Sequence, residues 1–149
     1  MMNNHSTRWG LALALAAVLG VSCGGGSDDS AATNKADWEK KHASAVKVVS
    51  EDIDRSVQAL NAGQRPVVLS ECTQLKDDLA DAKKAVPVPD PAVDAALSSA
   101  LAATETAMNT CVEGGRVASD ASIVEKAQRE MKTAREQYDA AQKAIEAWQ

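Results

Sequence analysis

Phenylalanine is absent from this 149-residue chain, tyrosine occurs once, and aromatic residues together make up 3%. Any core must therefore rest mostly on aliphatic side chains and alanine. Histidine occurs only at positions 5 and 42, too few for a site that needs several imidazoles. Glycine and proline, at 8 and 4 residues, exclude a collagen-like repeat. No apolar run approaches the roughly 20 residues a membrane-spanning helix needs, and the composition excludes a porin and a multi-span protein. A basic excess is also missing: 16 Lys and Arg stand against 21 Asp and Glu, a net charge of -5, which argues against a nucleic-acid footprint. What is present is 45% hydrophobic and 25% charged residues in a length that suits one domain with one core.

The longest apolar run, Trp9 to Leu19, follows a short region carrying Arg8 and precedes small residues. Residues 1–22 thus read as a secretory signal that is cleaved and takes no part in the fold. Behind it, Cys23-Gly24-Gly25-Gly26-Ser27-Asp28-Asp29-Ser30 sets one cysteine ahead of a flexible polar tether. This arrangement resembles a bacterial lipoprotein, with Gly20-Val21-Ser22-Cys23 in the place of the lipobox. The family pattern prefers Leu three residues before the cysteine; here that position is Gly20, and Leu19 lies one residue too early. The resemblance implies that Cys23 becomes the acylated first residue of the mature chain, anchored by acyl methylenes worth about 0.8 kcal/mol each. Gly20 and Ser22 also fit ordinary signal cleavage, the alternative being a secreted chain with a free Cys23. Removal of residues 1–22 leaves 127 residues, 25 of them alanine, and a net charge of -6 because Arg8 departs.

Beyond the tether, glycine and proline are confined to Gly63, Pro66, the Pro87/Pro89/Pro91 cluster and Gly114-Gly115. Such residues punctuate helices, and they divide the chain into four segments: 37–62, 66–86, 91–113 and 120–148. Gly63 and Gly114 occupy expected left-handed C-cap positions, while Pro66 and Pro91 stand in first turns, the latter behind Asp90 as N-cap. Ser122 and Glu125 form a capping-box pattern near the start of the fourth segment.

Within the segments apolar residues recur at spacings of three and four. The first gives Val46, Val49, Ile53, Val57 and Leu60; the second Val68, Cys72, Leu75, Leu79, Ala82 and Val86. The third gives Val93, Leu97, Leu101, Thr104, Met108 and Cys111, and the fourth Val124, Ala127, Met131, Ala134, Tyr138, Ala141, Ile145 and Trp148. Similar lengths and short links predict an all-α fold, an antiparallel up-down-up-down four-helix bundle over 37–149 following an acylated Cys and tether at 23–36. A long two-hairpin coiled coil is the rival. In the bundle, Cys72 and Cys111 fall on apolar seams at matching heights, and an exported compartment favours their pairing as a disulfide over two buried thiols. Trp38 and Trp148 fall together at the tether end, either in mutual contact or each covering its own helix end.

Catalytic and metal chemistry find little support. Glu39-Lys40-Lys41-His42 has the Glu-x-x-His spacing of di-iron bundles, but those sites need a second such pair and further inward glutamates. His42 is the one imidazole outside the signal, no nucleophile elbow or phosphate loop is present, and the alternating charges of 76–84 and 126–136 suit solvated helix faces. The expectation is no enzyme, no metal and no cofactor. The tether, the cysteine near the start of helix two, the Pro-Val-Pro-Asp-Pro link and the Cys-x-x-Gly end of helix three together resemble small exported actinobacterial lipoproteins of uncharacterised function. That resemblance implies localisation at the outer face of the cytoplasmic membrane. The expected role is a non-catalytic interaction or structural module, meeting an envelope protein or its own copy. The alternative is a small-molecule or lipid carrier, which alanine-rich seams disfavour because they leave little room for a cavity.

Overall fold

A computed structural model describes residues 34–116 and 121–149. The signal, Cys23 and residues 24–33 of the tether lie outside these residues, while its expected last residues are the N-cap Asn34 and the first residues of α1, Lys35 and Ala36. The described chain is all-helical: α1 (Lys35–Ala62), α2 (Arg65–Ala82) with a 3-10 turn at Lys83–Ala85, α3 (Pro91–Arg116) and α4 (Ala121–Ala147).

The helix ends follow from local chemistry. The Asn34 side chain accepts from the Asp37 amide at 3.0 Å and caps α1. Gly63 takes φ 67°, and its N–H reaches the carbonyls of Ala59 and Leu60 at 3.1 and 3.3 Å. This is the left-handed C-cap that the sequence predicts, and glycine suits it because it has no Cβ to clash. Asp90 Oδ1 accepts from the amides of Ala92 and Val93 at 2.8 and 3.0 Å, which places the start of α3 where the proline cluster suggests.

Two boundaries differ: the second segment, expected as helix to Val86, gives way to the 3-10 turn after Ala82 and is extended at Val86, and the end of α3 lies later than expected. Gly114 was expected to cap α3, yet α3 runs through both glycines to Arg116, and Gly63 is the one positive-φ glycine among the described residues. The reason lies across the interface. A Cβ on Gly115 would stand 3.2 Å from Leu69 N, Cα and Cβ at the start of α2. Gly115 serves the close packing of α3 on α2 rather than the termination of α3. At the other link, α4 begins at Ala121, so Ser122 lies inside its first turn.

The core is the set of periodic residues. Val49, Ile53, Leu75, Leu79, Leu97, Met131 and Tyr138 are all buried, with alanines at 82, 100, 107, 127, 134 and 141 filling the spaces where helices approach closely. Contacts between helices tie distant parts of the chain in register. Ser99 meets Gln137, Gln128 meets Asn61, and Arg135 meets Ser50. Between α2 and α3, Cys72 and Cys111 stand at disulfide distance, fully buried, with Cα atoms 6.0 Å apart.

Candidate functional site

Two surface grooves lie along the seam between α1 and α4, and these helices supply every residue that lines them. The first, about 410 Å³, has a floor of Trp38, Ala43, Val46 and Ile145, with Glu39, Lys47, Gln142 and Glu146 on its rim. The second, about 490 Å³, holds Val57 among Asp54, Glu125, Arg129, Lys132 and Arg135. Neither groove was legible in the sequence, because a seam pattern says which residues face inward and not how closely two helices close upon each other.

The first groove sits beside an aromatic corner. Trp38 is buried, and its indole N–H donates to the Ala85 carbonyl at 2.7 Å, so it locks the first turn of α1 onto the end of the 3-10 turn. The ring of Trp148 meets it edge-on, with centroids 5.8 Å apart and planes at 62°, a favourable geometry for aromatic pairs. Lys35 Nζ donates to the Trp148 carbonyl and ties the two helix ends together. Of the two arrangements the sequence leaves open, the structure has the indoles in contact.

His42 stands one turn beyond Trp38, half-buried, with its ring 6.1 Å from the indole. Its pKa is lowered, first by desolvation and then by Lys41, with Asp37 opposing. A neutral imidazole is therefore favoured. Among the described residues, no group of three His, Cys, Asp or Glu could hold a metal ion.

Between the grooves, Arg135 clasps the seam. Its Nη1 donates to Ser50 Oγ at 2.6 Å and pairs with Asp54 at 3.2 Å, while Nε faces Asp139 at 3.4 Å. Gln128 Nε2 closes the far end by donating to Asn61 Oδ1 at 3.1 Å. A fully buried carboxylate, Asp52, occupies a different face of α1. It pairs with Arg55, whose Nε also reaches Glu71 on α2 at 3.2 Å. Sequence reasoning missed this group, since an i,i+3 Asp–Arg pair reads as surface charge.

Charge pairing elsewhere is a solvated helical lattice. Lys47–Glu51, Lys126–Glu130, Arg129–Glu125 and Lys132–Glu136 are spaced i,i+4 at 3.6 to 4.0 Å. Exposed pairs of this kind contribute only about 0.3–0.5 kcal/mol each. Among the described helices none is long and apolar enough to cross a membrane. No family model matches the chain, and neither the curated proteins nor the solved structures yield a match.

Proposed function

We propose that this chain is an exported lipoprotein that serves as a non-catalytic interaction or structural module. In this reading residues 1–22 are cleaved, Cys23 is acylated, the tether runs from there to the N-cap Asn34, and the bundle stands at the outer face of the cytoplasmic membrane. The Cys-Gly-Gly-Gly sequence behind an apolar run supports the anchor, and the likeness to small actinobacterial lipoproteins rests on that tether together with Cys72, the Pro-Val-Pro-Asp-Pro link and the Cys-x-x-Gly end of helix three. The bundle is an antiparallel up-down-up-down one. Its support is the order of contacts: along α1 from Trp38 through Ser50 to Asn61, the partners on α4 run backwards from Trp148 through Arg135 to Gln128.

The observation that carries the functional reading is the α1–α4 face itself. It presents an apolar floor rimmed by exposed charge at Trp38 and a second groove in which Val57 lies among charged and amide side chains, the composition of a surface that receives another protein's side chains. The partner is an envelope protein or a second copy of the chain, and nucleic acid is not among the candidates for an acidic protein. A carrier role is the second reading, favoured by the apolar floor of Trp38, Val46 and Ile145.

Intact mass of protein isolated from membranes tests the anchor, since acylation adds the mass of its lipid to a chain that starts at Cys23. A chain starting there without added mass overturns it. Titration of the same protein with an apolar dye separates the two roles: saturable uptake near one per chain supports the carrier, and its lack supports the interaction module.

A further inference from the structure

A third pocket, of about 320 Å³, lies on the seam between α2 and α3 and shares no residue with the two grooves. Lys76 of α2 lines it, facing Met108, Asn109, Val112, Glu113 and Arg116 of α3. The cysteines explain why two cations meet there. Cys72 and Cys111 adjoin, with Cα atoms 6.0 Å apart, and Lys76 and Arg116 stand one turn and little more than one turn beyond them. Helical side chains lean toward the N-terminus of their own helix, so each cation is carried back to the level of its cysteine and the two heads converge.

Their charge is uncompensated. Elsewhere on the same seam Lys83 pairs with Glu105 at 2.6 Å. Lys76 has only Cys72, Thr73, Leu79 and Ala80 at the spacings where a helix supplies an ion-pair partner. From α3 it meets Asn109, one turn beyond Glu105, where a carboxylate would repeat the pairing. Among the described residues neither the Lys76 nor the Arg116 side chain has an ion pair or hydrogen bond, and the same holds for Glu113. The charged lining is therefore two cations and one carboxylate, an excess of one positive charge.

We infer that this pocket binds a small organic monoanion, a carboxylate carried on a short apolar chain. The carboxylate lies between Arg116, whose planar fork matches it, and the point charge of Lys76. One negative charge brings the lining to neutrality, whereas a dianion would confront Glu113. The Asn109 amide adds a donor, and the chain lies on buried Met108 and half-buried Val112. The volume falls at the small end of the roughly 300–1,000 Å³ found for small-molecule sites. The site goes beyond the interaction reading of the α1–α4 face and stands or falls without it.

The test titrates the isotopically labelled full chain, isolated from membranes in a non-ionic detergent, with octanoate. Ionic strength is held constant, dialysis fixes the free concentration, and amide shifts report the site. Saturable shifts are expected at Lys76, Asn109, Val112 and Arg116. K76Q and R116Q should each weaken binding about threefold, and E113Q should tighten it about twofold, the scale of single exposed charges. Octanol, which lacks the charge, and acetate, which lacks the chain, should each bind about tenfold more weakly or worse. Helix content by circular dichroism is expected to stay constant, since all three positions are exposed. No saturation up to about 10 mM octanoate, equal affinity for octanol, or indifference to both cation changes overturns the inference. Shifts confined to Val46 and Ile145 overturn it too and favour the carrier reading of the first groove.

Discussion

Asp52 places a carboxylate inside the bundle, where charge is costly. Its carboxylate is 1% exposed and faces a single cation, Arg55, whose side chain is 46% exposed and shared with Glu71. Removing the cation leaves a buried charge without compensation, the situation in which breaking a pair is most damaging. Arg55→Ala should destabilise by about 2–4 kcal/mol in urea unfolding, and Asp52→Asn in the same background should recover part of that. A loss below about 0.5 kcal/mol would mean that the carboxylate is solvated. Tyr138 gives a pH prediction. Burial raises its pKa from 10.0, so the folded chain keeps the phenol proton where the unfolded chain loses it. The folded state then binds more protons, and stability falls as pH rises above 10.0. Ultraviolet titration should show phenolate only together with loss of helix; a phenolate band in the intact bundle would contradict this. His42 acts in the opposite direction, since its lowered pKa makes stability fall as pH drops below 6.5. Tyr138 and Met131 were readable as core from their spacing, whereas Asp52 was not. A carboxylate on the seam of α1 looks like any surface charge until α2 is laid against it.

At the scale of elements, the two adjacent glycines of α3 separate local preference from packing. In a helix interior glycine is about 1 kcal/mol worse than alanine. At Gly114 an added methyl would meet Ile123 and Val124 at 3.6 Å or more, an ordinary contact, so Gly114→Ala should stabilise by about 1 kcal/mol. At Gly115 the same methyl would press on Leu69 backbone at 3.2 Å, and Gly115→Ala should lose that gain and destabilise. Thermal unfolding of the pair checks this, and equal shifts of the same sign would refute it. The sequence pattern fixes four helices and nearly all of their inward residues because 3.6-residue periodicity is a local property. It misplaces the end of α3 because two glycines read as a stop, and the approach of α2 at Leu69 explains why a helix would contain Gly115. The cysteines belong to the legible part: both lie on predicted seams, and they meet. Closing a loop with a sequence separation of 39 residues stabilises by about 4 kcal/mol in the chain-entropy model. Replacing both by serine should lower the unfolding free energy by an amount of that order, whereas a negligible change would mean that the thiols are not joined in the native protein.

Across the whole molecule the four interhelical seams are held by different means, and this makes α1 the helix most free to part from its neighbour on α4. A cysteine pair joins α2 to α3, and close contacts of alanines and glycine join α3 to its neighbours. The α1–α4 seam has grooves on both sides of one clasp, and the clasp is polar: Arg135 to Ser50 and Asp54. Local opening follows the weakest set of buried contacts, so amide exchange should be faster in the middle of α1 than in the middle of α3. Arg135→Ala removes the clasp and leaves Ser50, which is 5% exposed, without its donor. The expected loss is about 1–3 kcal/mol. Its distribution is the sharper prediction, because exchange should accelerate around Ser50 and along the facing part of α4 while α2 and α3 near the cysteines keep their protection. Uniform acceleration across all four helices would show that the bundle opens only as a single unit and that the seam has no separate freedom.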